Sequence, residues 1–173
     1  GIVGIMWKYL LYENYGVMNL ILELFGIKNV EWYGSQLLAL PTMIMIDVWE
    51  WTPFMVLILL AGLASLPREP YEASLMDGAS TFQRFVYVTL PMLKPVILIA
   101  ILLRFMDALK VFDVIYILTY GGPARATEVF SIYVYREGFR YFHTGFASAV
   151  SFVFLYIVIG LTLVFMKITR FRW

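Results

Sequence analysis

Apolar residues run almost unbroken through three stretches of this chain, each bounded by polar or turn-forming residues. A helix needs about 20 mostly apolar residues to cross a hydrocarbon core of about 30 Å. Residues 37–66, 96–119 and 146–168 reach that length, so the pattern predicts three membrane-spanning helices. The first is interrupted by Pro41, Asp47, Glu50 and Pro53, and the second carries Arg104, Asp107, Lys110 and Asp113. The third holds no charge from Phe146 to Met166.

Between and before these runs the pattern is mixed. Residues 1–36 predict the end of one membrane helix followed by a short amphipathic helix at the outer interface, where Trp7, Trp32 and the tyrosines suit the headgroup region. Residues 120–145 predict an external loop that turns at Gly121-Gly122-Pro123 and then becomes helical over "EVFSIYVYREGF". Small residues in "GFASAVS", Gly145 to Ser151, predict close packing against a neighbouring helix rather than a binding role.

The segment 67–95 is too long for a minimal turn, and its polar residues are ordered. Pro70 suits the first turn of a helix, and Glu72 favours the positive end of its dipole. Tyr71, Leu75 and Ala79 recur at four-residue spacing and predict one apolar stripe. Gly78 predicts a left-handed exit. Ser80 and Gln83 match the S-x-x-Q capping pattern, so a second short helix is expected to start there, with Phe82, Phe85, Val86 and Thr89 on one side, and to stop before Pro91. Two capped helices with proline at both ends make a stiff object. It suits a docking element for another protein, although a helix pair lying flat on lipid fits the same pattern.

Composition narrows the class. The chain is 62% hydrophobic and 14% charged, with a mean hydropathy of +0.81, against about 45–50% apolar and about 25% charged in soluble domains. This describes an integral membrane protein. A net charge of +1 gives no bulk attraction to nucleic acid. Without cysteine there is no disulfide framework, and His143 alone offers no imidazole cluster for a metal. His143 reads as structural, since no nucleophile or ligand stands near it in sequence. The opening "GIVGIMWKYL" has neither an initiator Met nor a signal-peptide n-region, so a piece of a longer chain is expected.

Orientation is weakly encoded. Arg68, Arg84, Lys94, Lys167, Arg170 and Arg172 fall on one side of the predicted spans, and Lys8, Lys28, Arg125, Arg136 and Arg140 on the other. The cluster "KITRFRW" directly after the third span favours a cytoplasmic tail at 169–173, which places the 67–95 segment in the cytoplasm too.

Charges within a membrane helix are costly, about 2.5–3.5 kcal/mol each at the centre, and so mark functional positions. Asp47, Glu50, Trp51 and Phe54 fall on one face of the first span; Arg104, Asp107, Ala108 and Val111 do so on the second. Directed hydrogen-bonding groups beside aromatic plates are what a sugar requires. Pairing along their own helix is the competing expectation for Arg104, Asp107, Lys110 and Asp113.

The sequence "EASLMDGASTFQRFVYVTLPMLKP" resembles the EAA loop of the permease subunits of binding-protein-dependent ABC importers. The matching positions are Glu72, Ala73, Ser74, Asp77, Gly78, Ala79, Phe85, Leu90 and Pro91, with Ser74 standing where the pattern has a second Ala. Upstream "GVMNLILELFG" and "VWEWTPFMVLILLAGL", and downstream "VFDVIYILTYGGPARAT", are similar to the carbohydrate-type permeases of the maltose and glycerol-phosphate kind, in the same order.

That resemblance implies an all-α membrane protein. The expected fold is that of type I ABC importer permeases, a single transmembrane domain over 1–173 with a cytoplasmic coupling-helix loop and without the family's first helices. It implies that Glu72, Ala73, Ser74, Leu75, Met76, Asp77, Gly78, Ala79 and Phe82 couple to an ATPase, with Leu75, Met76, Ala79 and Phe82 in the packed contact and Glu72 and Asp77 tying the loop together or to its own bundle. Maltose-type permeases also place sugar contacts on the helices of Asp47, Glu50, Trp51, Phe54, Arg104, Asp107, Ala108 and Val111. The implied partners are a second permease subunit, an ABC ATPase dimer that carries the ATP and Mg, an extracytoplasmic solute-binding protein and a sugar or polyol, in a bacterial or archaeal inner membrane. This chain needs no cofactor of its own and has no G-x-x-x-x-G-K-[ST]. Two other classes fit the sequence less well. An intramembrane enzyme lacks H-E-x-x-H or a nucleophile with its base. An ion-coupled carrier would show inverted repeats, which this sequence does not display.

Overall fold

The computed structural model describes residues 1–169, and every element in it is helical. Three helices are long and apolar enough to cross a membrane: α3, Ala39–Ala64; the run from Thr81 to Leu118; and α9, Thr144–Ile168. Lys167 lies in the last turn of α9, where a cation favours the negative helix end. Arg170 and Arg172, assigned to a cytoplasmic tail from sequence, lie outside the described residues.

The described chain divides into two compact units, Gly1–Trp51 with Ala108–Val158, and Thr52–Asp107 with the residues from Ile159 onward. In the first, α1 (Ile2–Leu10) packs on α7 (Asp113–Leu118), and Trp7, Leu11, Met43, Ile46, Val114, Ile115, Leu118 and Ile132 form the core. A Cβ at Gly4 would stand 3.1 Å from the Ile117 side chain, so a glycine permits the close approach of these two helices. Trp7 meets Trp49 edge-on at 5.4 Å.

The short helix expected near the N-terminus is α2, Val17–Glu23. One buried amide pins it. Asn19 donates to the carbonyls of Glu13 and Val30 at 2.9 and 3.0 Å, and its oxygen accepts from Trp32 Nε1 at 2.7 Å. A buried amide with its donors and acceptor all used fixes the loop, whose large apolar side chains (Leu24, Phe25, Ile27) are mostly exposed and contribute little packing. Thr42 adds a bond to the Trp32 carbonyl at 2.9 Å.

In the second unit α3 ends beside the first turns of α6, Leu90–Ala108. The close approach is at Gly62, where a Cβ would meet Val96 Cγ1 at 2.7 Å and Leu93 Cδ1 at 3.1 Å. Val96 is β-branched and has no second rotamer to retreat into at low cost. Gly62→Ala is therefore expected to destabilise the unit by about 1–3 kcal/mol, read as a lower melting temperature in detergent with helical content unchanged before the transition.

One sequence expectation fails here. The helix that starts at Thr81 does not stop before Pro91: α5 (Thr81–Arg84) passes through a π-helical turn, Phe85–Thr89, directly into α6, with Pro95 inside that helix. A proline lacks an N–H and its ring crowds the carbonyl four residues back. A π turn widens the ladder just upstream of Pro91, so that the strand of helix is re-phased rather than ended. The second correction lies at the other end of the same run. Helix α6 closes at Ala108, and a turn precedes α7, so residues 96–119 are not one uninterrupted helix.

Candidate functional site

The loop between α3 and α6 is built from short-range hydrogen bonds. Helix α4, Glu69–Met76, holds Pro70 in its first turn and closes in a Schellman arrangement: Gly78 N–H donates to the Leu75 carbonyl at 3.0 Å and Ala79 N–H to the Ser74 carbonyl at 3.0 Å. Gly78 has φ +72, a left-handed conformation that a Cβ disfavours. Ser80 and Gln83 then form a complete capping box, the Gln83 amide donating to Ser80 Oγ at 3.3 Å and the Ser80 amide to Gln83 Oε1 at 2.8 Å.

Two further contacts close the loop on itself. Tyr71 donates from its hydroxyl to Thr89 Oγ1 at 2.9 Å across the two arms, and Thr89 Oγ1 donates onward to the Arg84 carbonyl at 3.4 Å. Ser74 Oγ donates to the Tyr71 carbonyl at 2.8 Å, a bond that the family pattern's Ala at this position would not make. The tie therefore runs through Tyr71 and Thr89 rather than through Glu72 and Asp77, which are both exposed. Removing the box in Ser80→Ala is expected to cost about 1 kcal/mol, seen in hydrogen exchange as amides 81–84 exchanging about fivefold faster while those of α3 are unaffected.

This rigid frame presents apolar side chains outward. Met76 is 89% exposed, Phe82 75% and Leu75 53%. Ala73 is exposed and Ala79 half-buried; Ala79 follows Gly78 and so stands outside α4, off the helical stripe that the four-residue spacing predicted. Large apolar side chains this exposed on a stiff, hydrogen-bonded platform suit a protein contact better than a solvated turn.

The membrane-helix candidates fall in two groups. Asp47, Glu50 and Trp51 are half-buried on α3, and Phe54, one turn on, is exposed. On α6, Arg104 and Asp107 face one another at 3.7 Å in i,i+3 relation, so the structure brings these two together along their own helix. Ala108 is the last residue of α6. Val111 lies beyond that end, packed at the edge of the first unit's core, with its carbonyl accepting from Ser131 Oγ. It does not share the helical face of Arg104, because the helix it was counted along has already ended.

Sequence reasoning missed a second polar and aromatic cluster in the first unit. Phe112, Tyr116 and Tyr120 stack at successive four-residue intervals, Tyr135 and Phe139 continue the series, and the Tyr116 and Tyr135 hydroxyls meet at 3.2 Å. Glu128, half-buried beside them, takes Arg136 on one oxygen and Arg125 on the other. The i,i+4 spacing of the rings was visible in the sequence; the fold-back of residues 120–129 that brings Glu128 to Arg136 was not. His143 Nδ1 lies 3.1 Å from Glu137 Oε2, a local tether. Of the small residues in Gly145–Ser151, Ala147 packs closely, since a Cβ at Gly138 would stand 3.1 Å from its Cβ, whereas Gly145, Ser148, Ala149 and Ser151 are exposed.

Residues 3–169 match the family described as binding-protein-dependent transport system inner membrane component. The chain is 44% identical over 169 residues to the trehalose/maltose transport system permease protein MalF of Thermococcus litoralis, covering 96% of this chain and 56% of that one. It is 34% identical over 167 residues to the sulfoquinovosyl glycerol transport system permease protein SmoG of Agrobacterium fabrum, covering 96% and 54%. It thus spans a little over half the length of these relatives. Among solved structures it superposes, with a TM-score of 0.88 and 26% identity, on a bacterial ABC transporter involved in the import of the acidic polysaccharide alginate, over 98% of this chain and 59% of that one. That transporter is also known in complex with a periplasmic protein bound to an alginate pentasaccharide.

Proposed function

The chain belongs to the family of binding-protein-dependent transport system inner membrane components, and from that premise we propose that it is a permease subunit of an ATP-driven importer for a sugar or sugar-like solute. Residues 37–66, 96–119 and 146–168 cross the inner membrane of a bacterium or archaeon, 67–95 and 169–173 are cytoplasmic, and 1–36 and 120–145 are external. A second permease subunit completes the pathway, an extracytoplasmic binding protein delivers solute, and a separate ATPase dimer hydrolyses ATP.

The observation that carries this reading is the capped, internally bonded loop with Leu75, Met76 and Phe82 turned outward. A ligand or motor shifts a two-state equilibrium only through contacts that differ between the states. A contact borne on a compliant loop would absorb the displacement. One borne on Schellman-closed, box-capped helices passes it through Gly62 and the π turn to α3 and α6. Asp47, Glu50, Trp51 and Phe54 on the one helix, and Arg104, Asp107, Ala108 and Val111 on and just beyond the other, are the proposed solute contacts whose accessibility then alternates.

The test is reconstitution of the complete transporter in proteoliposomes with its binding protein. ATP hydrolysis stimulated by loaded binding protein, with uptake insensitive to ion gradients, is the expected result. Uptake that follows an ion gradient without ATP would instead identify an ion-coupled carrier. In the same assay Arg104→Gln is expected to raise the KM for an acidic sugar about tenfold more than that for a neutral one, since a hydrogen bond from a charged donor contributes about 1.5–3 kcal/mol.

A further inference from the structure

Between the end of α3 and the start of α6, the second unit holds a cavity of about 550 Å³, lined by residues from Leu63 to Leu93. Its lining combines apolar surface from Leu63, Phe85 and Leu93 with the polar groups of Arg68, Arg84 and Thr81. Arg84 donates from Nη2 to Thr81 Oγ1 at 3.2 Å, while its Nε is buried and meets no acceptor among the described residues. Neither guanidinium is in an ion pair among those residues. Arginine keeps its charge, and a buried donor on it calls for an acceptor, from water or from a bound anion.

The place of this cavity says what kind of acceptor. It opens where the membrane-length helix α3 ends, and the exposed Leu57, Leu60 and Leu63 lead along α3 to it. A ligand held there has its anionic end at two arginines and its other end continuous with a hydrocarbon-facing surface. A free phosphate would leave the apolar lining uncovered, and a neutral lipid would leave the arginines unanswered.

We propose that this cavity binds the headgroup of an anionic phospholipid, with an acyl chain laid on Leu63, Phe85 and Leu93. The lipid then touches the loop at Tyr71, Thr81, Arg84 and Phe85, none of which is among the proposed ATPase contacts. Each basic residue near a membrane surface adds about fivefold to anionic-lipid affinity.

The complete transporter, in nanodiscs of phosphatidylcholine doped with a photoactivatable phosphatidylglycerol, is irradiated and its peptides are mapped by mass spectrometry. Adducts are expected within residues 63–93, falling about fivefold in Arg84→Gln, about thirtyfold in Arg68→Gln with Arg84→Gln, and persisting in Arg84→Lys. The comparison with a photoactivatable phosphatidylcholine uses unaltered protein and needs no variant to fold. Equal labelling by that zwitterionic probe overturns the proposal. So does displacement by millimolar inorganic phosphate, which would make the site one for a free anion, or a cross-link from residues 63–93 to an acidic residue of a partner subunit in place of lipid. None of these readouts requires ATP turnover or uptake, so they stand apart from the test of transport.

Discussion

Replacing Leu75 and Met76 together by aspartate is expected to abolish co-purification of the ATPase and to lower sugar uptake at least about a hundredfold. Both side chains are mainly exposed in the isolated chain, and neither belongs to its apolar core. The changes therefore leave the loop's own fold nearly intact: its capping box, its Schellman closure and its Tyr71–Thr89 bond all involve other side chains or backbone. What changes is the surface offered to a partner. Central apolar anchors of protein contacts are worth about 2–4 kcal/mol each, and a carboxylate desolvated in their place adds a further penalty. The check is affinity purification of the assembled transporter beside circular dichroism and membrane integration of the variant. Normal ATPase recovery and uptake in a correctly inserted variant would mean that the outward face contacts lipid or water instead.

How much of this was legible beforehand follows from the range of the forces involved. Helix length in a membrane depends on a running sum of apolar residues, so Ala39–Ala64 and Thr144–Ile168 were visible to within a few residues. The loop's caps depend on spacings of three to five residues, and Gly78, Ser80 and Gln83 announced them directly. Pro91 misled because the rule that proline ends a helix assumes an α-helical ladder; the π turn at Phe85–Thr89 changes that ladder, and no residue pattern marks it. Val111 was misplaced for a related reason, since a face counted at 3.6 residues per turn holds only while the helix lasts, and α6 ends at Ala108. The candidate site divides the same way. Its local frame was readable, whereas Tyr71 bonding to Thr89, and Arg84 lining a cavity with Leu63, join residues that only the fold brings together.

Glu128→Gln is expected to destabilise the first unit by about 3–5 kcal/mol. The Glu128 and Arg136 side chains are only 12% and 13% exposed, and they pair directly. Arg136 has in addition a buried Nε without an acceptor among the described residues, so its charge rests on Glu128 and on the Tyr133 ring, 5.8 Å from its Cζ. Taking the carboxylate away strands a guanidinium in a partly dry site. The Arg125 contact does not offset this, because Arg125 is itself a cation and is 76% exposed. The same logic predicts an asymmetry between single and double variants. Glu128→Leu combined with Arg136→Met removes both charges and keeps the volume, and is expected to recover most of the lost stability, as replacements of buried ion pairs by packed apolar residues do. Thermal unfolding in detergent of the unaltered protein, Glu128→Leu, Arg136→Met and their combination measures the coupling. If the double variant is no more stable than Glu128→Gln, the pair contributes through its hydrogen-bond geometry at the end of α8, Phe130–Tyr135, and not through mutual charge compensation. A cycle that closes near zero would place both residues in solvent. The expected outcome is a strong positive coupling, with the aromatic series from Phe112 to Phe139 losing its order only in the single variants. Near-ultraviolet circular dichroism of these tyrosines would register that loss.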